Sequence, residues 1–377
     1  MKKDETNFRN LLFVTGTRAD YGKLEPLAFE AVKAGHKVTF FVTGMHMLKR
    51  YGLTKEEVHL QKAFNVVEYV NQRIGDQQDT ILTKTITGLS DYLKEYHYDL
   101  VIFHGDRIEA LACGLVCAIN YIRSAHVEGG EVSGTIDEQF RHCNSKLANI
   151  HLVSSDDAAQ RIIKLGESKK SIHLIGSPEL DVHKKPSGVN LKEVLRRYEI
   201  KSSEYGICIF HPVTSELDTI HDQALSLFEK LKKSSNYFVI ILPNNDPGAD
   251  KILSVINDLP SDQFRVIPSM RFNYFSELVR NSKGIIGNSS MGVREAPFLG
   301  IASLNVGTRQ FNRANSPSLM NASAYEYEKF DLFFNEFWGK GFKSSNHFGN
   351  GDAALNFVNL LEQNHIFEIP LQKYFSQ

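Results

Sequence analysis

The run NLLFVTGTRADYGKLEPLAFEAVKAG, residues 10–35, decides the fold class. NLLFVTGT is mostly apolar without alternation, as a parallel strand covered on both faces must be. KLEPLAFEAVKAG reads as a helix, and between the two stands a short polar turn. This is one βα unit, and the chain repeats it. KVTFFVTG, DLVIFHGD, SAHVEGG, IHLVSS and IHLIGS are further strand-like runs, with helical stretches between them such as DAAQRIIKLG, closed by Gly166 at a C-cap position. After GSPELD the pattern restarts with YGICIFHP, YFVIILP, FRVIPS, GIIGNSS and IASLNVG. Two successive βα series predict an α/β protein with two doubly wound domains. The expected boundaries are 1–177 for the first domain and 178–355 for the second, changing over near Pro178. The tail, DAALNFVNLLEQ, reads as an amphipathic helix, so 356–377 is expected to pack back on the first domain. Ligands of such sheets sit at the carboxyl ends of the strands, which puts the expected site in the interdomain cleft.

Composition narrows the function. At 377 residues the chain exceeds one ordinary core, in agreement with two domains. A formal charge of -1, from 43 basic and 44 acidic residues, provides no net field for nucleic acid or an anionic membrane. The opening MKKDETNFRNLLFVTG has too short an apolar run for a leader, and YFVIILP is far short of a membrane span. The cysteines Cys113, Cys117, Cys143 and Cys208 form no CxxC pair, which suits a reducing, cytoplasmic setting.

The polar residues of interest follow the strands. VTGTRADYGK comes near a Walker A loop, but five residues separate Gly16 from Gly22-Lys23, and Leu24 stands where Ser or Thr is required. Arg18 remains open between a diphosphate contact and a surface arginine. IFHGDRIEA places His104, Asp106 and Arg107 after another strand, with Asp106 suited either to capping the next helix or to chemistry. CIFHPVT offers His211, structural or functional. In GNSSMGVREA, Gly287, Ser289 and Ser290 precede a helix whose free N–H groups and dipole favour an anion. Glu295, expected inside that helix, is either a ribose acceptor or an ordinary helix glutamate.

HVEGGEVSGTIDE, residues 126–138, crowds Glu128, Glu131, Asp137 and Glu138 together. Such carboxylates repel unless a cation, a proton or a substrate hydroxyl intervenes. No HExxH or EF-hand spacing supports a metal, and no G-x-G-x-x-G supports a dinucleotide, so no metal and no cofactor is expected.

GTRADY, FHGDR, HVEGGEVSGTIDE, FHPVT, GNSSMGVRE and NVGTRQ, in this order across residues 15–310, resemble the UDP-N-acetylglucosamine 2-epimerases. Ala19 and the EGG of the acidic run resemble the hydrolysing branch, which makes N-acetylmannosamine for sialic acid synthesis. The other branch typically has proline after GTR and EAG in the acidic loop. The resemblance implies two Rossmann-like domains in the glycosyltransferase-B arrangement, a UDP-sugar substrate and a homodimer or homotetramer. It implies catalytic roles for the carboxylates Asp106, Glu128 and Asp137, with His211 counted among the catalytic residues. It sets His211 and Arg18 against the phosphates or sugar, and Lys23 is counted with the substrate contacts. It places Ser289, Ser290 and Glu295 on diphosphate and ribose beside Gly287, with Arg309 assisting. His46, Arg107 and His126 match further site positions.

Chemistry reaches the same reaction independently. The hydrogen on sugar carbon 2 is not acidic, because carbon 1 is an acetal. Oxidation at carbon 3 would need the nicotinamide whose fingerprint is missing. Departure of UDP instead builds oxocarbenium character that acidifies carbon 2, and a carboxylate removes the proton to give 2-acetamidoglucal. Water then adds at carbon 1 and a proton returns to the opposite face of carbon 2, which requires acid/base groups on both faces. Three rivals stay open: a relative acting on UDP-2,4-diacetamido-2,4,6-trideoxyglucose, a glycosyltransferase, and a non-catalytic sensor.

Overall fold

In the computed structural model residues 8–243 and 246–376 are described. The first residues of the opening run weighed as a leader lie outside them. The chain divides into two compact units: residues 1–131, 137–181 and 348–377 form one, and 132–136 with 182–347 the other.

The first unit is built on a parallel sheet of seven strands: β1 (Asn10–Thr15), β2 (Lys37–Val42), β3 (Asn65–Glu68), β4 (Leu100–His104), β5 (Ser124–Val127), β6 (Ile150–Val153) and β7 (Ile172–Leu174). Their spatial order is β3-β2-β1-β4-β5-β6-β7, so the winding reverses between β1 and β4. Leu11, Phe13, Phe40 and Ile102 face one buried layer, and Leu12, Phe41, Val101 and Phe103 the other. Both faces are covered, which is why these strands lack polar alternation.

The second unit repeats the plan with β8 (Gly206–Ile209), β9 (Phe238–Ile241), β10 (Phe264–Ile267), β11 (Ile285–Gly287), β12 (Ser303–Val306) and β13 (Leu319–Ala322). The order is β10-β9-β8-β11-β12-β13, again parallel, with the reversal between β8 and β11. The expected α/β class with two doubly wound sheets is therefore what the chain forms.

β3 and β13 are absent from the strand runs read in the sequence. Both are edge strands whose side chains, apart from the buried Ala322, are exposed or half-exposed, so neither has the continuous apolar run that marks a central strand.

The units depart from the boundaries drawn at 177/178 and 355/356. The helix Pro178–Lys184 opens with proline at a position where its missing N–H costs nothing, but its Asp181 belongs to the first unit. The two Asp181 carboxylate oxygens accept from the backbone N–H groups of Ala353 (2.9 Å) and Ala354 (2.7 Å). They thereby cap the helix Ala353–Glu362, whose Phe357 and Leu361 are buried in the core of β1 and β2.

Candidate active site

The turns after β1 and β4 flank the reversal point of the first sheet, where doubly wound folds hold ligands. At the first stand Thr17 and, opening the helix Arg18–Lys33, Arg18 and Asp20; at the second stand His104, the last residue of β4, with Asp106 and Arg107. β5 is the next strand, and after it come Glu128 and the rest of the acidic run.

Each carboxylate of that run has its own partner, which resolves their crowding. Glu128 Oε2 accepts from Lys23 Nζ at 2.8 Å and lies 3.0 Å from His104 Nε2, while Glu128 Oε1 accepts from Ser177 Oγ at 2.6 Å. Glu131, buried, accepts from the Ser154 hydroxyl. Asp137 and Glu138 open the helix Asp137–Leu147, where the dipole favours negative charge. Glu138 also meets His142 one turn on, at 3.4 Å. Asp106, from the neighbouring turn, is ion-paired with Arg141 of the same helix.

The backbone at Glu128 is unusual. Its φ is +63, in the left-handed region that a non-glycine residue occupies at a cost on the order of 1–3 kcal/mol. The Glu128 N–H donates to Leu152 O at 2.9 Å, which pins the turn to β6. Gly130 (φ +76) lies so close to the next helix that a Cβ there would come 2.3 Å from Ala158 O. The acidic turn is thus held rigidly against β6 and its following helix, so the Glu128 carboxylate has a fixed origin.

Charge is distributed along a buried chain. Asp20 accepts from Thr17 Oγ1 at 2.9 Å and lies 3.2 Å from His104 Nδ1. Burial alone would raise the Asp20 pKa, but the hydrogen bond and charge of His104, with Arg107 nearby, bring it below the usual carboxylate range. Burial disfavours the His104 cation, but its bonds to Asp20 and Glu128 outweigh that and raise its pKa. Lys23 also pairs with Glu179 at 2.6 Å.

The residues foreseen as substrate contacts have partners within the chain. Lys23 is ion-paired with both Glu128 and Glu179. Arg18 pairs with Glu57 at 3.0 Å on a part-exposed surface, and Arg107 reaches Met45 Sδ. His46 has no exposed surface and lies between Thr15 (3.0 Å) and Thr54 (2.8 Å). Burial lowers its pKa to about 4, so it is neutral. His126 is likewise fully buried, 2.7 Å from Gly105 O and 3.1 Å from Ser145 Oγ, and burial lowers its pKa to about 3.

In the second unit the corresponding turns follow β8 and β11. The Asn288 side chain accepts from His211 N–H (2.6 Å) and donates to His211 O (2.8 Å), which fixes the His211 backbone beside the GNSS turn. Arg309 and Gln310, beyond β12, both donate to Asn288 O. Gly287 has φ +135, and a Cβ there would lie 2.0 Å from Ile209 O; the turn requires glycine. Ser289 caps the helix Ser290–Val293, accepting from Met291 N–H. That helix is only four residues long and breaks at Arg294 (φ −117, ψ −61), so Glu295 begins a separate helix, Glu295–Leu299. The single helix expected through Glu295 is therefore two short ones, and a macrodipole is correspondingly weaker. Glu295 Oε1 lies 2.8 Å from Nε2 of the buried His183.

Arg141, Ser177, Asp20, Glu109 and His183 were not singled out in the sequence. Arg141 lies outside the strand-end runs, and Ser177 precedes a helix as ordinary cap residues do. Only tertiary contact distinguishes them. Among the described residues no group of three or more His, Cys, Asp or Glu is arranged to hold a metal.

The family model described as UDP-N-acetylglucosamine 2-epimerase matches residues 30–362. A UDP-N-acetylglucosamine 2-epimerase of Neisseria meningitidis serogroup B is 38% identical over 97% of this chain and 98% of its own length. A UDP-N,N'-diacetylbacillosamine 2-epimerase (hydrolyzing) of Legionella pneumophila is 30% identical over 94% of this chain and 96% of its own. The crystal structure of the UDP-GlcNAc 2-epimerase from Neisseria meningitidis bound to UDP-GlcNAc superposes with a TM-score of 0.77, at 20% identity, covering 94% of this chain and 100% of that one.

Proposed function

This chain belongs to the UDP-N-acetylglucosamine 2-epimerase family, and we propose that within it the chain is a hydrolysing enzyme that converts UDP-N-acetylglucosamine and water to N-acetylmannosamine and UDP. The observation that carries the reading is the Glu128 carboxylate, held in a strained turn by Lys23, His104 and Ser177 in the unit that also supplies Asp106 and Asp137.

The carbon 1–oxygen bond breaks with its electron pair leaving on UDP. A carboxylate takes the carbon 2 proton, and that C–H pair becomes the carbon 1–carbon 2 double bond. In the second half, a base removes a proton from water as its oxygen bonds to carbon 1, and an acid protonates carbon 2 from the other face. Each such group contributes typically about 100- to 10,000-fold. Asp106, Glu128 and Asp137 are the proposed groups. Ser289, Ser290, His211 and Arg309, with Arg18, are proposed to steady the departing diphosphate, and Glu295 to accept from ribose hydroxyls. A homo-oligomer in the cytoplasm, supplying sialic acid synthesis, completes the reading.

Solvent labelling tests it. In oxygen-18 water, freshly released N-acetylmannosamine should carry the label and UDP should not; in deuterium oxide the product should carry deuterium at carbon 2. Label in UDP would mean attack at phosphorus, and retained hydrogen at carbon 2 would mean internal transfer or a redox route. Either sinks the proposal.

A second reading follows from the Legionella relative: the substrate is a 2,4-diacetamido-2,4,6-trideoxy UDP-sugar. Incubation with each UDP-sugar, with products identified by NMR, separates the two. Sugar release without any acceptor separates both from a glycosyltransferase.

A further inference from the structure

We infer that His104 is a positioning residue of this reaction: as an imidazolium bridging Asp20 and Glu128, it orients the Glu128 carboxylate and holds it ionised, so that Glu128 enters the cycle as a proton acceptor. The inference rests on the proposed acid/base role of Glu128 and deepens it.

The argument is one of donors and acceptors. His104 closes β4 with its side chain only 10% exposed. Its Nδ1 lies 3.2 Å from Asp20 Oδ1 and its Nε2 lies 3.0 Å from Glu128 Oε2. Ionised carboxylates only accept, and a neutral imidazole has one N–H. A neutral His104 would aim a lone pair at a carboxylate oxygen. With both nitrogens protonated, both contacts are satisfied, and each is a charge-assisted hydrogen bond. The alternative, a proton on one carboxylate, is disfavoured by the other cations. Lys23 donates to the same Glu128 oxygen at 2.8 Å, and Arg107 acts on Asp20 through its charge.

Every packed element contributes to this balance. Asp20 and Lys23 come from the helix Arg18–Lys33, and Arg107 and the buried Glu109 from the β4 turn and its helix. Glu128 comes from the β5 turn, and Glu179 from the helix Pro178–Lys184. Burial raises the Glu109 pKa, which disfavours its anionic form, while the charge of Arg107 opposes that shift. The charged groups gathered about His104 are thus the cations Lys23 and Arg107 and the carboxylates Asp20, Glu128 and Glu179. A carboxylate so held is a weak base, but a carbon 2 proton beside an oxocarbenium centre, or a water attacking one, needs no strong one.

The experiment pairs His104→Gln with Asp20→Asn in the full chain. Glutamine keeps a donor for Glu128 and loses the charge, so the Glu128 pKa rises. Where the ionised form is required, the acid limb of the kcat/KM pH profile should move up by about one unit, the scale of one close charge. kcat should fall about 10- to 100-fold, while UDP affinity by calorimetry stays within about twofold. Asp20→Asn should shift the limb in the same direction. Independently of turnover, nitrogen-15 NMR of the wild-type protein at pH 7 should show both His104 ring nitrogens protonated. A singly protonated His104, or an unmoved acid limb in both variants, would overturn the inference. If no UDP-sugar is turned over, the proposed function fails, and the NMR result still decides the charge on His104.

Discussion

Glu128 concentrates the residue-scale argument. It combines a left-handed backbone with donors on both carboxylate oxygens, and such strain persists only where surrounding structure enforces it. Asp106 is held differently, by Arg141 of the helix that Asp137 begins, so the candidate acid/base groups have unlike surroundings. Unlike surroundings are what allow neighbouring carboxylates to play unlike roles. Asp106→Asn, Glu128→Gln and Asp137→Asn should each lower turnover at least about 100-fold while UDP still binds. Steady-state kinetics with calorimetry checks this, and near-normal turnover in two of the three would remove the assignment. Arg141→Lys should also impair turnover, because an ammonium does not reproduce a planar guanidinium reaching both Asp106 and Glu131 O. A turnover like that of the unaltered protein would show that Asp106 does not depend on that fork.

At the scale of elements, distant segments are tied by buried charge. Asp181 caps the helix Ala353–Glu362 from far away in sequence, with both oxygens on the first free N–H groups. Asp181→Ala should cost about 1–3 kcal/mol, the range for an N-cap and for hydrogen bonds to a charged group, read as a lower urea midpoint at unchanged slope. Glu167 binds together β6 and the tail: it meets His151 (3.2 Å), Lys146 (2.5 Å) and Lys373 (2.7 Å). Burial opposes its ionisation, but bonds from those three groups more than offset this and bring its pKa to about 2. That is below the ~4.3 of an unfolded glutamate, so the stabilisation is present above ~4.3 and is lost as pH falls through about 2. Glu167→Gln should therefore be less stable at pH 7, with the gap to the wild type narrowing below ~4.3. Urea unfolding across that range measures it, and a gap independent of pH would contradict the assignment.

For the whole molecule, both sheets wind outward from an internal reversal point, and the residues proposed for chemistry follow the strands beside those points. The carboxylates belong to the unit of β1 and β4, and the GNSS turn and His211 to the unit of β8 and β11. Recognition there is proposed to rest on arginine, hydroxyls and main-chain N–H groups. Turnover is accordingly expected to survive exhaustive chelation. Complete loss, reversed only by a divalent ion, would show that the diphosphate is neutralised by metal instead.

The α/β class, the restart of the pattern after GSPELD and the strand-end positions of Arg18, Asp106, Glu128, His211 and Ser289 are determined by the sequence itself. Central parallel strands are buried on both faces, so continuous apolar runs mark them, and the turn residues that follow are fixed by position alone. Edge strands β3 and β13 carry no such mark, because half of each is solvated. Only the tertiary structure decided the partners: Lys23 on Glu128 across 105 positions, Arg141 on Asp106 across 35, Asp181 on Ala353 across 172. Charge pairing depends on distance in space, and periodicity along the chain does not encode which distant charge arrives. The same reason kept the ion pairs of Lys23 and the deep burial of His46 and His126 out of the sequence reading.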